Sequence, residues 1–133
     1  MTRFIRERPL AALWLAMAVM ILGRLLDLQW HATHDEFEGT SQQFEAHWLL
    51  WIGVLMVLAV AAIGVRDGVG GMGYRVVLLS TILYVPLSIW HFIEHANGAD
   101  PELAHVLLGI ANLCMVAGAI VAVIETRRPS PAT

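Results

Sequence analysis

The chain has 133 residues, which is room for one domain. It is 58% hydrophobic and only 14% charged, where a soluble domain carries about a quarter charged residues, so part of its surface must face lipid. The formal charge of −3 hides a segregation of sign along the chain; there is no lysine, and no basic, aromatic-interleaved patch of the kind that binds nucleic acid.

Four apolar runs, at about 10–30, 44–65, 74–95 and 101–124, each reach the ~20 residues a helix needs to cross the hydrocarbon core. In lipid such runs must be helical, because every backbone N–H and C=O has to find its partner within the segment. The sequence therefore predicts an all-α membrane protein, a single four-transmembrane-helix bundle closed by a disordered tail over 125–133. The first run follows Arg3, Arg6 and Arg8 as a signal peptide would. It is too long for that and lacks a small-x-small cleavage site before His31, so it reads as a retained span.

Arginine sets the expected orientation. Arg3, Arg6 and Arg8 precede the first span, Arg66 and Arg75 flank the middle loop, and Arg127 and Arg128 follow the last span. By the positive-inside rule these segments are cytoplasmic, giving a multi-pass protein of the cell's inner (plasma) membrane with both termini inside. The other two connections hold no arginine. With their flanks they carry Asp35, Glu36, Glu38, Glu45, Asp100 and Glu102, and all six histidines lie toward that end.

In the first span Arg24, Asp27, His31 and His34 are spaced three, four and three apart, one polar stripe if the helix continues past Trp30. Charges at this depth are costly facing lipid, so the stripe points into the bundle. Arg24 and Asp27 can neutralise each other; that pairing alone does not explain why two histidines extend the same face. The second span opens on a capping signal, Thr40 with Gln43, and His47 falls in its first turns. Trp30, Trp48, Trp51 and Trp90 form an aromatic belt at one interface. The middle loop matches G-x-G-x-x-G from Gly68 to Gly73, but it joins two spans instead of a strand and a soluble helix, so it is a turn and not a dinucleotide site.

The third span holds Pro86, expected to kink it, and then Trp90-His91-Phe92-Ile93-Glu94-His95. His91, Glu94 and His95 share one face in the H-x-x-E-H spacing, which sets two imidazoles one turn apart beside a carboxylate. Asp100-Pro101-Glu102 is a strong helix start, followed by His105 and, two turns on, Asn112. Asn112 suits either support of a nearby ligand or an interhelical hydrogen bond. Cys114 is the single cysteine and lies in an apolar run, so no intramolecular disulfide forms.

The halves repeat a pattern of span, Trp-His tract, acidic connection and capped helix with a histidine. This implies two parallel helical-hairpin repeats about an axis along the membrane normal. Such a pairing sets His31, His47, His91 and His105 at one level, with His34 and His95 slightly further out. Imidazole suits copper, zinc and iron, and facing helices of a bundle commonly build such sites. The six histidines are the candidate metal ligands, and Glu94 and Asp27 the candidate catalytic carboxylates, as proton acceptor or additional ligand. Other readings are a b-type haem held by two histidines for electron transfer, a proton-linked cluster without metal, and a structural membrane subunit. The carboxylates on the histidine faces disfavour haem. The expected partners are the lipid bilayer and either further copies of the chain or a larger membrane complex.

Asp27-x-x-Trp30-His31, followed by Phe44-x-x-His47, resembles the copper-binding helix pair in the membrane C subunit of particulate methane and ammonia monooxygenases. The resemblance implies a copper-type site at Asp27, His31 and His47. It covers about a sixth of the chain and carries no implication of methane oxidation.

Overall fold

The structure is a computed structural model that describes residues 2–33, 40–69, 71–97 and 102–127. Where the sequence runs apolar the backbone is helical throughout, as α1 (Thr2–Glu7), α2 (Pro9–Thr33), α3 (Thr40–Arg66), α4 (Met72–Ala96) and α5 (Glu102–Arg127). Helices α2 to α5 are each long and apolar enough to cross a membrane. The 25 residues of α2 or α4 rise about 37 Å, more than the hydrocarbon thickness.

Consecutive long helices pack side by side with short connections. α2 lies along α3 and α4 along α5, α3 joins the two hairpins through α4, and α2 touches α5 only sparsely. Leu13, Met17, Val57, Val77 and Met115 are fully buried between them. Leu15, Leu25, Leu28, Leu79, Leu83, Leu103 and Leu113 point outward, the surface expected where the solvent is lipid. With no hydrophobic drive between helices in lipid, tight packing needs small residues at the seams. Gly23 lies against the backbone of Leu49 and Leu50, and Gly53 against that of Met20, which locks α2 to α3. Gly73 abuts Gly118 and Ala122, which does the same for α4 and α5.

At the arginine-rich end, α3 stops in a Schellman turn. Val69 N–H donates to Gly64 O (3.1 Å), Gly68 N–H donates to Val65 O (3.3 Å), and Gly68 supplies the left-handed residue at φ +67°. The glycine-rich stretch is thus a helix stop, as its sequence context indicates. Asp67, beside that stop, accepts from Arg66 Nε (2.9 Å) and from Arg6 Nε of α1 (2.7 Å). The two guanidiniums hold its carboxyl below the usual carboxylate range.

α4 is a single helix from Met72 to Ala96 with Pro86 inside it. Two features differ from the sequence reading. The N-terminal arginine segment contains a helix, α1, which buries Ile5 and breaks from α2 at Arg8, where Pro9 lacks an N–H. α5 extends through Arg127, into the expected tail, because Glu125 has work there: its Oε1 accepts from Met72 N–H (2.9 Å) and its Oε2 from Gly73 N–H (3.0 Å). One carboxylate thereby satisfies two of the orphan donors that open α4. The remainder of that tail lies outside the described residues.

Candidate metal centre

His91 and His95 are one helical turn apart on α4, so both imidazoles leave the same face. That face meets α5 near its start, where His105 enters from the second helix. The three rings are in mutual edge contact, with centroids 4.4 Å apart for His91–His95, 4.4 Å for His91–His105 and 5.5 Å for His95–His105. One nitrogen from each lies within 4.8 Å of the others. His91 and His95 are buried and His105 is half-buried.

Three imidazoles from two helices converge on one point. A tetrahedral ion with metal–nitrogen bonds of about 2.0–2.1 Å sets its ligand atoms about 3.4 Å apart, so the rings need to close by at most about 1.5 Å. His91 Nδ1 is buried and has no hydrogen-bond partner. A buried nitrogen left unpaired costs on the order of 1–3 kcal/mol, a deficit that coordination removes. The donor set and its orphaned nitrogen therefore fit a metal ion.

The other sequence candidates divide. Asp27, fully buried on α2, accepts from Arg24 Nη1 through Oδ2, and His47 Nε2 of α3 stands 2.8 Å from its Oδ1. Asp27 and His47 lie outside the three-histidine group but within electrostatic reach of His91. Glu94 is half-exposed and also outside the group. His31 is in α2, but its side chain, like all of His34, lies outside the described residues. His95 belongs to the group itself instead of standing further out, because its i, i+4 relation to His91 turns both rings toward α5.

One residue the sequence reading did not single out joins this end of the bundle. Tyr84, on α4 two turns below His91, is buried and lies near Asn112, Arg24 and Asp27. Asn112 sits two turns from His105 on α5, on the side of that phenol. The signal was available: Tyr74, Val77, Thr81, Tyr84, Ser88, His91 and His95 follow a strict three-four spacing, and six of the seven are polar. The inward seam of α4 is hydroxyl-rich for its whole length. Thr81 donates to Val77 O (2.7 Å), and Ser88 to Val85 O (2.8 Å). Both are back-bonds that satisfy hydroxyls inside a helix.

The chain matches no family model, no curated protein and no solved structure. The chemistry of the centre rests on its own atoms.

Proposed function

We propose that this integral membrane protein binds a transition metal, copper, zinc or iron, through His91, His95 and His105. It acts as a metalloenzyme or as the metal-bearing subunit of a larger membrane complex. The observation that carries this reading is the convergence of three imidazoles from α4 and α5, with one ligand nitrogen from each inside 4.8 Å. Two neutral imidazoles alone are common in a bundle interior. A third from another helix, beside an unpaired buried Nδ1, has no structural purpose that packing explains.

In this proposal the arginine-rich end is cytoplasmic and the centre lies near the outer face. The two hairpins are repeats, with His47 and His105 in corresponding places. The metal supplies Lewis acidity or redox chemistry. His91, His95 and His105 would hold it, while Asp27, held by Arg24 and facing His47, would be the nearby proton acceptor. The copper-type expectation attaches to Asp27, His31 and His47, and the closeness of Asp27 and His47 supports keeping it for a position beside the three-histidine group. The edge-to-edge contacts of the rings favour a bare ion over haem, since no plane between them admits a macrocycle.

The test is elemental analysis of detergent-purified protein, wild type beside His91→Ala/His105→Ala. Stoichiometric transition metal is expected in the wild type and its loss in the double variant. Wild-type protein without metal, after growth in metal-replete medium and anaerobic purification, overturns the proposal.

A further inference from the structure

At the arginine-rich end of the bundle a groove of about 150 Å³ runs between α1, α2 and α3. Its walls are Phe4 and Ile5 of α1, Ala12 and Leu15 of α2, and Met56 and Ala59 of α3, and every residue lining it is apolar. The space is below the roughly 300–1,000 Å³ of sites that enclose a small molecule, so it suits a slender chain and not a ring system. Phe4 and Leu15 are exposed along it, so the groove opens onto the surface that faces lipid.

The wet end of this groove is cationic. The backbone keeps its helical phase through Arg8, whose N–H donates to Phe4 O (2.9 Å) and whose carbonyl accepts from Ala12 N–H (3.0 Å), so Arg8 lies one turn beyond Ala12 and Leu15 on their face. On α3, Met56, Ala59, Ile63 and Arg66 follow in steps of three, four and three, which puts Arg66 at the end of the other wall. Arg6 joins from α1 through Asp67. Arg6 and Arg66 each commit Nε–H to Asp67, and their remaining N–H donors carry no hydrogen bond among the described residues. The Arg8 side chain is exposed and has no ion pair among them. Arg3 is paired with Glu7, so three guanidiniums against the one carboxylate of Asp67 leave two positive charges uncompensated.

We propose that this end of the bundle binds one anionic phospholipid, with an acyl chain in the groove and the headgroup phosphate on Arg8, Arg6 and Arg66. Shape and charge together select that class. Guanidinium N–H donors match phosphate oxygens in pairs. The surplus of two positive charges favours a headgroup of net negative charge over a zwitterionic one, whose ammonium adds to the surplus. A free phosphate or an acidic peptide answers the arginines but leaves the groove empty. A neutral acyl chain fills the groove but leaves the arginines unanswered. α1 supplies both parts, the wall through Phe4 and Ile5 and a cation through Arg6, so its docking on Asp67 builds the site. The site stands at the opposite end of the bundle from the histidines and does not depend on a metal there.

The experiment is native mass spectrometry of the delipidated full chain in detergent, titrated with phosphatidylglycerol or with phosphatidylcholine of the same acyl chains. Expected is one tightly held phosphatidylglycerol per chain, bound about tenfold or more tighter than phosphatidylcholine. Glycerophosphoglycerol, the same headgroup without chains, does not displace it. Arg8→Gln, at an exposed position, weakens binding about fivefold, the share of one arginine beside an anionic headgroup. Ala59→Phe fills the groove and removes the tight site. If Ala59→Phe does not fold, as judged by helical circular dichroism, Arg8→Gln and the chain-free competitor decide. Equal affinity for the two lipids, displacement by glycerophosphoglycerol, or undiminished binding by Arg8→Gln or by folded Ala59→Phe overturns the proposal.

Discussion

The histidine-bearing ends of the two hairpins start from nearly the same pattern and reach different chemistry. In α2–α3 the Trp-His tract is preceded, seven and four residues before His31, by Arg24 and Asp27; in α4–α5 the same offsets from His91 hold Tyr84 and Leu87. The first end thus becomes a buried ion pair with His47 against it. The second brings together, among the described residues, three imidazoles, with Tyr84 two turns deeper on α4. Histidine spacing alone does not decide between a charge network and a group of imidazoles. The residues one and two turns deeper differ between the two ends, a charged pair in the first and Tyr84 and Leu87 in the second.

The sharpest way to break this contrast is to give α2 the residue that α4 has. Asp27→Leu strands Arg24 and His47 without their partner in a low-dielectric interior. The expected cost is about 3–5 kcal/mol of unfolding free energy in detergent. Arg24→Leu/Asp27→Leu removes both charges and should recover most of that loss. A double variant as unstable as the single one refutes the pairing as the cause.

The seams come next. Gly53→Leu drives a side chain into the Met20 backbone and should cost about 1–3 kcal/mol or more, by thermal unfolding. Gly109→Leu on α5 meets open space and should be close to neutral. Equal effects at the two positions contradict the close α2–α3 contact.

Tyr84→Phe keeps the ring and deletes a buried hydroxyl beside Asn112, for an expected change of about 1 kcal/mol or less with metal content unchanged. A parallel fall in bound metal assigns Tyr84 to the centre itself.

The smallest effect lies at the opposite end of the bundle. The Asp67 carboxyl is held below its usual range by Arg66 first and Arg6 second, so it stabilises the fold above the ordinary carboxylate range near pH 4. That contribution disappears as pH falls through the lowered value. Asp67→Asn should therefore melt slightly earlier than wild type at pH 7, and the difference should vanish under strongly acid conditions.

Much of the fold was legible because the bilayer restricts the options. Four runs of spanning length must be helices, and each of α2 to α5 falls within a few residues of its expected bounds. α1 was not legible, since six residues rich in arginine carry no periodic signal, and Ile5 is buried only because α2 and α3 are there to cover it. The extension of α5 was also hidden: Glu125 matters through Met72 and Gly73, more than fifty residues away in sequence. At the site, His91 and His95 were readable as a pair because one helical turn fixes their relation. That His105 joins these two without His47 was not; Asp27 with His47 was expected only through the resemblance of that helix pair.

The sequence by itself determined the solvent, the number of spans and the height of each histidine along its own helix. Those follow from apolar length, a fixed rise of about 1.5 Å per residue, and the cost of unpaired backbone in lipid. Only the tertiary structure decided which histidines meet. That depends on how each helix is rotated about its axis against its neighbours, and the rotation is set by the glycine seams at Gly23, Gly53, Gly73 and Gly118, where backbones approach most closely. Height is a local property of one helix, whereas a shared centre is a property of packed pairs.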